Sequence, residues 1–247
     1  MKRVPGGERF TPPNQGPHLP GQRRLWQIRK PVRRGRQETV PPQALEFSEK
    51  SVFLNIPYDD RFRRLYLAYI TGLIHLGLKP RATIEIPGGR NRLDKILELI
   101  RSCRYSIHDL SRVELDRTPP TTPRFNMPFE LGLAVASAKL DPTPHDWFVF
   151  ESVHRRASKS LSDLSGTDPN IHHGTVEGVM RELCNAFVRQ SQNEQVSVAK
   201  MLKTYREVSR LVEDIQRKTR ARSVFDSSTF QQIYFAAGRP AGIPQTR

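Results

Sequence analysis

The chain is poor in cysteine, with only Cys103 and Cys184 among its 247 residues. The two lie far apart and form no CxxC pair, which argues against a structural zinc site. Each lies within an apolar periodic segment, "LELIRSCRYSI" and "VMRELCNAF". We therefore expect two buried free thiols in a reducing cytoplasm.

Long apolar runs and acidic residues are also scarce. No run approaches the roughly 18 apolar residues of a membrane-spanning helix, and the basic N-terminus lacks the apolar region of a secretory signal. The chain holds 40 Lys and Arg against 25 Asp and Glu, a net charge of +15. Such a field attracts polyanions, anionic nucleotides or membrane surfaces. We expect a cytoplasmic protein without a membrane partner.

The first 50 residues differ from the rest of the chain. They hold eight prolines, and residues 1–36 carry ten Lys and Arg against one acid, Glu8. Their composition predicts a disordered basic tail over residues 1–50. Three interpretations stay open: nucleic-acid contact through residues 1–36, docking on a partner protein, or a solvated tail without function.

From Ser51 onward, strand-type and helix-type segments alternate. Strands are predicted over 51–56, 81–86, 105–110 and 146–152. Helices are predicted after Asp59 or Asp60, over 92–103 and over 175–190. This order predicts an α/β domain over 51–190, a doubly wound, flavodoxin-like and mainly parallel sheet of four to five strands.

The last part of the chain, 191–247, reads as a long charged amphipathic helix followed by a short one. We predict a C-terminal helical appendage that packs on the α/β domain or forms a homo-oligomer contact.

Ligands of doubly wound sheets bind beyond the carboxyl ends of the strands. Polar and charged side chains follow the first and third predicted strands at that edge, and we take them as candidate site residues: Asn55, Tyr58, Asp59, Asp109, Ser111 and Arg112. Tyr58 suits either stacking on a base or core packing. Arg112 suits either a ligand or a pair with Asp109.

The loop "PGGRNRLDK" follows the second predicted strand and precedes a helix. Its glycines and arginines, Gly88, Gly89, Arg90 and Arg92, suit a phosphate at a helix N-terminus. A tight turn with solvated arginines is the other interpretation.

The most apolar stretch, "FNMPFELGLAVASA", carries a single charge, Glu130. Pro128 suits a first helical turn, so we expect Glu130 in the first turn of a buried helix, with Asn126 beside it. Glu130 then either caps the helix and its dipole or lies in a partly dry pocket. In such a pocket a carboxylate attacks or stabilises an electron-poor sugar carbon.

A fourth polar segment, "SLSDLSGTDPNIHH", fits no standard zinc or calcium spacing. We predict a structured loop there, with no metal and no cofactor. His108 alternates with Ile107 and is predicted to be a hydrogen-bonded core histidine.

The segments "SVFLNIPYDD", "CRYSIHDLSR", "FNMPFELGLAVA" and "SLSDLSGTD" resemble a bacterial family with a fold similar to nucleoside 2-deoxyribosyltransferases and, more distantly, to TIR domains. The resemblance covers about Ser51 to Arg189. It implies that Glu130 is the nucleophile of an "E-x-G-x-A" helix and that Asp109 is the strand-end aspartate. It also implies a nucleotide, nucleoside or NAD as ligand and a role in bacterial antiviral defence.

The chain departs from both catalytic patterns. "FNMP" replaces the transferase "D-x-G-T", Tyr58 is the only candidate for the transferase tyrosine, and the TIR "S-x-W-C-x-x-E" spacing is absent. Two functions therefore stay open: cleavage or transfer at an N-glycosidic bond, and a non-catalytic nucleotide-sensing or protein-interaction module.

Overall fold

A computed structural model describes residues 45–187 and 197–238, apart from positions 87, 90, 114, 117, 118, 120 and 165. All described residues belong to one compact unit, Gln43–Arg247. Most of the predicted tail lies outside the described residues. The first strand begins at Ser48, so the last three residues of the segment predicted as tail belong to the sheet.

Seven strands and seven helices follow one another in the described chain. In chain order they are β1 (Ser48–Asn55), α1 (Arg63–His75), β2 (Lys79–Ala82), α2 (Arg92–Arg101), β3 (Cys103–Asp109), β4 (Leu115–Asp116), β5 (Thr122–Pro123), α3 (Asn126–Leu140), β6 (Asp146–Glu151), α4 (Arg156–Ser160), β7 (Asn170–Ile171), α5 (Val176–Ala186), α6 (Val198–Thr219) and α7 (Ser227–Ala237). Short 3₁₀ turns occupy Thr83–Glu85 and Ser162–Leu164. β4 and β5 form a separate antiparallel pair.

The central sheet has five parallel strands in the order β2-β1-β3-β6-β7. Counted along the chain, this is the 2-1-3-4-5 order of flavodoxin-like doubly wound sheets, and it confirms the predicted fold class. The strand order reverses between β1 and β3. The crevice for a ligand in such a sheet lies at that switch point, beyond the carboxyl ends of the two strands.

The helices cover the two faces of the sheet unequally. α1 packs against α5, α6 and α7 on one face, whereas α2 and α3 pack together on the other. The larger core lies on the α1 face, where β1 contributes Val52 and Leu54 and α6 contributes Val208 and Val212. The C-terminal helices therefore pack on the α/β domain itself.

The second strand is shorter than predicted. The segment 81–86 was expected to be a strand, but β2 ends at Ala82 and a 3₁₀ turn follows. The Glu85 carboxylate accepts the Ala82 backbone N–H at 2.7 Å and pairs with Arg81. This local cap ends the strand, and Pro80 is tolerated because β2 is an edge strand.

Two helix starts also differ from the prediction. α1 begins at Arg63, because Asp59 ends a preceding turn by accepting the Phe62 N–H at 3.2 Å. α3 begins at Asn126, which makes Pro128 its third residue. Proline is tolerated there because the first amides of a helix have no intrahelical acceptor.

Within the described residues, no helix combines the length and the apolar character that a membrane crossing requires.

Two helical glycines make a matched test of the packing between α5 and the loop after β7. A Cβ at Gly178 would lie 2.0 Å from the His172 carbonyl oxygen, whereas a Cβ at Gly132 meets nothing within 4 Å. We expect Gly178→Ala to lower the free energy of unfolding by about 3 kcal/mol, because backbone blocks the methyl group.

Gly132→Ala should leave the stability unchanged or raise it by up to about 1 kcal/mol, because alanine is the better helix former. Urea denaturation of both variants measures the difference, and equal stabilities would contradict the close approach of Gly178 to His172.

Candidate functional site

The switch point of the sheet is bound to the start of α3 by one side chain. Asn55, the last residue of β1, donates from Nδ2 to the Met127 carbonyl oxygen at 2.7 Å and to His108 Nδ1 at 2.9 Å. Asn55 and His108 are neighbours across the β1–β3 ladder. The first turn of α3 is therefore fixed over the carboxyl ends of β1 and β3.

A chain of hydrogen bonds continues from His108 into the core. The Cys103 carbonyl can only accept, so His145 donates to it from Nδ1 at 2.8 Å, and its Nε2 accepts from Ser106 Oγ at 2.9 Å. Ser106 Oγ in turn accepts from His108 Nε2 at 2.9 Å. Burial and the nearby His145 lower the pKa of His108 to about 3. His108 is thus the neutral core histidine that was predicted.

Glu130 lies next to this anchor and is buried, with 8% of its surface exposed. No described residue donates a hydrogen bond to its carboxylate or pairs with it at salt-bridge distance. Burial raises the pKa of Glu130 to about 7, and the positive charge of Arg92 offsets part of that increase. The group is therefore a partly dry carboxyl that is close to half ionised at neutral pH.

The predicted place of Glu130 in the first helical turn is wrong. Glu130 is the fifth residue of α3, and the first turn contains no acid. α3 begins earlier than expected, at Asn126, and its N-terminus has no side-chain cap. The helix-capping interpretation of Glu130 therefore has no support in the structure.

Tyr58 and Arg92 are the two candidate site residues that interact electrostatically with Glu130. The Tyr58 hydroxyl lies near Thr83 and donates to the Leu54 carbonyl at 3.3 Å. Burial raises the pKa of Tyr58, and the charge of Glu130 contributes to the increase. The Tyr58 ring packs in a T-shaped contact on Tyr66 and at a tilt on Phe225, so the ring belongs to the core.

The arginine that was predicted to bind phosphate is held by backbone. Arg92 donates to the Ile86 carbonyl at 3.3 Å and to the Thr83 carbonyl at 3.4 Å. These bonds place its guanidinium at the loop between β2 and α2, within electrostatic reach of Glu130. We call Asn55, Tyr58, Arg92 and Glu130 the Glu130 site.

Two exposed aromatic side chains stand at the start of the helix that carries Glu130. Phe125 is 68% exposed and Phe129 is 54% exposed, and the Phe129 N–H donates to the Phe125 carbonyl at 3.0 Å. They are one helical turn apart, so they share one side of α3. Exposed aromatic rings of this kind are suited to stacking on a base.

Asp109 belongs to a separate, fully buried network. Its carboxylate accepts from the Tyr69 hydroxyl at 2.7 Å, from the Ser111 N–H at 2.8 Å and from His172 Nε2 at 3.1 Å. Because Tyr69 is on α1, the Asp109 side chain points to the α1 face. Glu130 lies on α3, on the opposite face, so the structure does not bring the two predicted catalytic residues together.

The Asp109 network contains the three residue types of a hydrolase triad without its geometry. Gly174 N–H donates to His172 Nδ1 at 3.0 Å, so the proton of His172 is on Nε2. Both Asp109 and Ser111 contact that same Nε2, at 3.1 and 3.0 Å. A catalytic triad needs the acid and the hydroxyl on different ring nitrogens, so this network is structural.

Asp59 and Arg112 pair with one another. Asp59 Oδ2 lies 2.7 Å from an Arg124 nitrogen and 3.4 Å from Arg112 Nε. Arg112 therefore pairs with Asp59 and not with Asp109. This ion-pair cluster joins the loops that follow β1 and β3.

The remaining predicted ligand residues lie at the periphery. Gly88, Gly89 and Asn126 are exposed, and Gly89 has a φ of +136° that favours glycine. Arg90 lies outside the described residues. Across the described chain, no three His, Cys, Asp or Glu side chains converge as metal ligands would.

Comparison of the chain with protein-family models, with curated proteins and with solved structures found no match. The resemblance to deoxyribosyltransferases and TIR domains therefore stays a prediction. Any function has to be argued from the site itself.

The four residues of the Glu130 site were all candidates from the sequence, whereas several contacts at the carboxyl edge of the sheet were not. The shared position of Phe125 and Phe129 could have been predicted, because two aromatic residues four positions apart beside a lone acid lie on one face of a helix. The contacts of Tyr69 and Arg124 could not have been predicted from a local pattern, because each contacts a residue at least 40 positions away.

Burial of Glu130 makes the stability of the protein depend on pH. Its pKa is raised from 4.5 to about 7, so the folded state holds a proton that the unfolded state has lost between these values. The resulting decrease in the free energy of unfolding is absent below pH 4.5, grows up to about pH 7 and is then constant. The full shift in the pKa of Glu130 corresponds to a decrease of about 3 kcal/mol.

We expect Glu130→Gln to remove this penalty, so that its stability gain over the wild type grows from pH 4.5 to pH 7. Glu213→Gln, an exposed position on α6, should show no such trend. Urea denaturation across this pH range measures both, and parallel profiles for wild type and Glu130→Gln would count against a dry carboxyl.

Asp109→Asn tests whether Asp109 is structural. An amide has one acceptor oxygen where the carboxylate has two, so a buried donor is left unsatisfied. We expect a loss of about 2–4 kcal/mol in the free energy of unfolding. Asp163→Asn, at an exposed position, should be neutral, and wild-type stability of Asp109→Asn would refute the structural role.

Proposed function

We propose that the carboxyl edge of the sheet binds a nucleoside, a nucleotide or NAD, and that Glu130 acts on its N-glycosidic bond. The observation that carries the proposal is the buried, unpartnered Glu130 carboxyl, with a pKa of about 7, beside the switch point. Ionisable groups with strongly shifted pKa values in a crevice are typical of functional sites.

The surroundings of Glu130 supply contacts that such a ligand would need. Phe125 and Phe129 offer exposed rings for a base. Arg92 offers a cation for a phosphate, and the switch point is where doubly wound sheets bind nucleotides. Asn55 keeps the start of α3, and with it Glu130, in a fixed position.

The reaction follows from the chemistry of one ionised carboxylate. A Glu130 oxygen bonds to C1′ of the sugar, the C1′–N bond breaks, and its electron pair leaves with the base. Water or an acceptor base then attacks C1′ and releases Glu130, with the proton of the attacking water passing to solvent. This is the two-step course of retaining glycosyl transfer.

The engagement of the other carboxylates narrows the choice of leaving group. Among the described residues, Asp109, Asp59 and Glu85 are each held by other side chains. The site therefore offers no separate general acid to protonate a departing base. Nicotinamide leaves NAD as a neutral molecule without being protonated, so we rank NAD above deoxynucleosides as the substrate.

A direct test is to incubate the protein with NAD, deoxynucleosides and nucleotides and to measure released base by mass spectrometry. We expect base release by wild type, and a loss of about a thousandfold or more in Glu130→Gln, while Glu213→Gln keeps full activity. The rate should rise with pH and level off above about 7, because the attacking carboxylate must be ionised. Equal release by wild type and Glu130→Gln would refute the role of Glu130.

A second candidate function is ligand binding without cleavage. It is favoured because Asp109 is held by Tyr69 and His172, whereas glycosidases commonly use two carboxyl groups at the glycosidic bond. Calorimetry would then show saturable NAD binding, without turnover, that weakens in Arg92→Ala.

Partner and location proposals accompany both functions. Exposed Leu211 on α6 and Phe235 on α7 support a homo-oligomer contact through the C-terminal helices. The free thiols Cys103 and Cys184 fit a reducing cytoplasm. Nucleic-acid contact through residues 1–36 and a role in antiviral defence are proposed from sequence, and residues 1–36 lie outside the described residues.

A further inference from the structure

A second recess at the carboxyl edge of the sheet lies apart from the Glu130 site. It has a volume of about 300 Å³, and its polar lining comes from six side chains: Arg61, Arg64, Ser111, Arg112, Ser152 and Arg156. We call it the arginine recess. Its walls come from the loops after β1, β3, β6 and β7 and from the first turns of α1 and α4.

Two of the arginines are held in place by acids behind them. Arg156 pairs with the fully buried Glu151 at the end of β6 and donates to the Ser111 carbonyl at 2.8 Å. Arg112 pairs with Asp59. Such pairs orient the guanidinium groups and lower the entropy that a ligand would have to remove.

The other two arginines have no such acid. Among the described residues, no carboxylate lies at salt-bridge distance from Arg61 or Arg64, and both side chains are exposed. Four guanidinium groups thus surround one small recess, and the residues that line it include no acid. Acids balance the charges of Arg112 and Arg156, and an anion in the recess would balance the other two.

The position of these arginines at the start of α1 is unfavourable for an isolated helix. Arg61 and Arg64 flank the helix N-terminus at Arg63, and the first turn holds no acid. Helix N-termini carry partial positive charge and favour anions, so arginines there raise the free energy of the empty protein. An anion at this point would interact favourably with both the helix end and the arginines.

We propose that the arginine recess binds the phosphate of a small phosphorylated ligand, a phosphate monoester or a diphosphate. Guanidinium groups bind phosphate oxygens in pairs. A recess of this size and concavity suits a terminal phosphate. The recess lies on the α1 side of the sheet and uses no residue of the Glu130 site, so this proposal stands independently of the proposed reaction.

The test is calorimetric titration of the full-length protein with inorganic pyrophosphate at constant ionic strength. The variant Arg61→Gln/Arg64→Gln removes two exposed charges from the recess. Arg206→Gln/Arg210→Gln removes two exposed charges from α6 and is the matched control for nonspecific attraction by the positively charged chain. Circular dichroism verifies that each variant is folded.

We expect saturable binding at one site, weakened about tenfold or more by Arg61→Gln/Arg64→Gln and unchanged in the control. If the double variant does not fold, Arg61→Gln alone, outside α1, should still weaken binding severalfold. Absence of saturable binding by the wild type, or equal weakening in recess and control variants, would overturn the proposal.

Discussion

Successive side chains of a strand point to opposite faces of the sheet, and this alternation organises the whole carboxyl edge. At the end of β3, His108 joins Asn55 on the α3 face, whereas Asp109 joins Tyr69 on the α1 face. Two separate networks therefore begin at adjacent residues. One positions the start of α3 and so Glu130. The other fixes α1, the end of β3 and the loop after β7.

The carboxylates at the carboxyl edge of the sheet differ in whether they have hydrogen-bond or ion-pair partners. Asp59, Asp109 and Glu151 each have arginine, histidine or backbone partners that stabilise the charged form. Glu130 is buried, and no described residue forms a hydrogen bond or an ion pair with its carboxylate. Only the charge of Arg92 acts against the increase in its pKa. A folded protein rarely keeps a buried carboxyl in this condition. This contrast is why Glu130, and not Asp109, is the centre of the proposed function.

Much of the fold was predictable because periodicity alone distinguishes strands from helices in the α/β domain. β2 was overestimated because "RATIEI" is strand-like in composition, while a side-chain cap from Glu85 decides the local structure. The two-residue strand β7 was too short to give any pattern.

The prediction that Glu130 and Asp109 share one site was wrong for another reason. The sequence placed both residues at one edge of the sheet but could not show which face of the sheet each side chain would meet. The arginine recess combines residues from four loops and two helices, so no local pattern indicates it.

The central claim is that Glu130 is a dry, unpartnered carboxyl at the switch point, and its own titration tests that claim most directly. Carbon-detected NMR of side-chain carboxyls, with Glu130→Gln used to assign the signal, gives the pKa of this one group. The structure predicts a midpoint near 7. A midpoint near the ordinary value of 4.5 would show that water or a partner stabilises the carboxylate, and would contradict the proposed site.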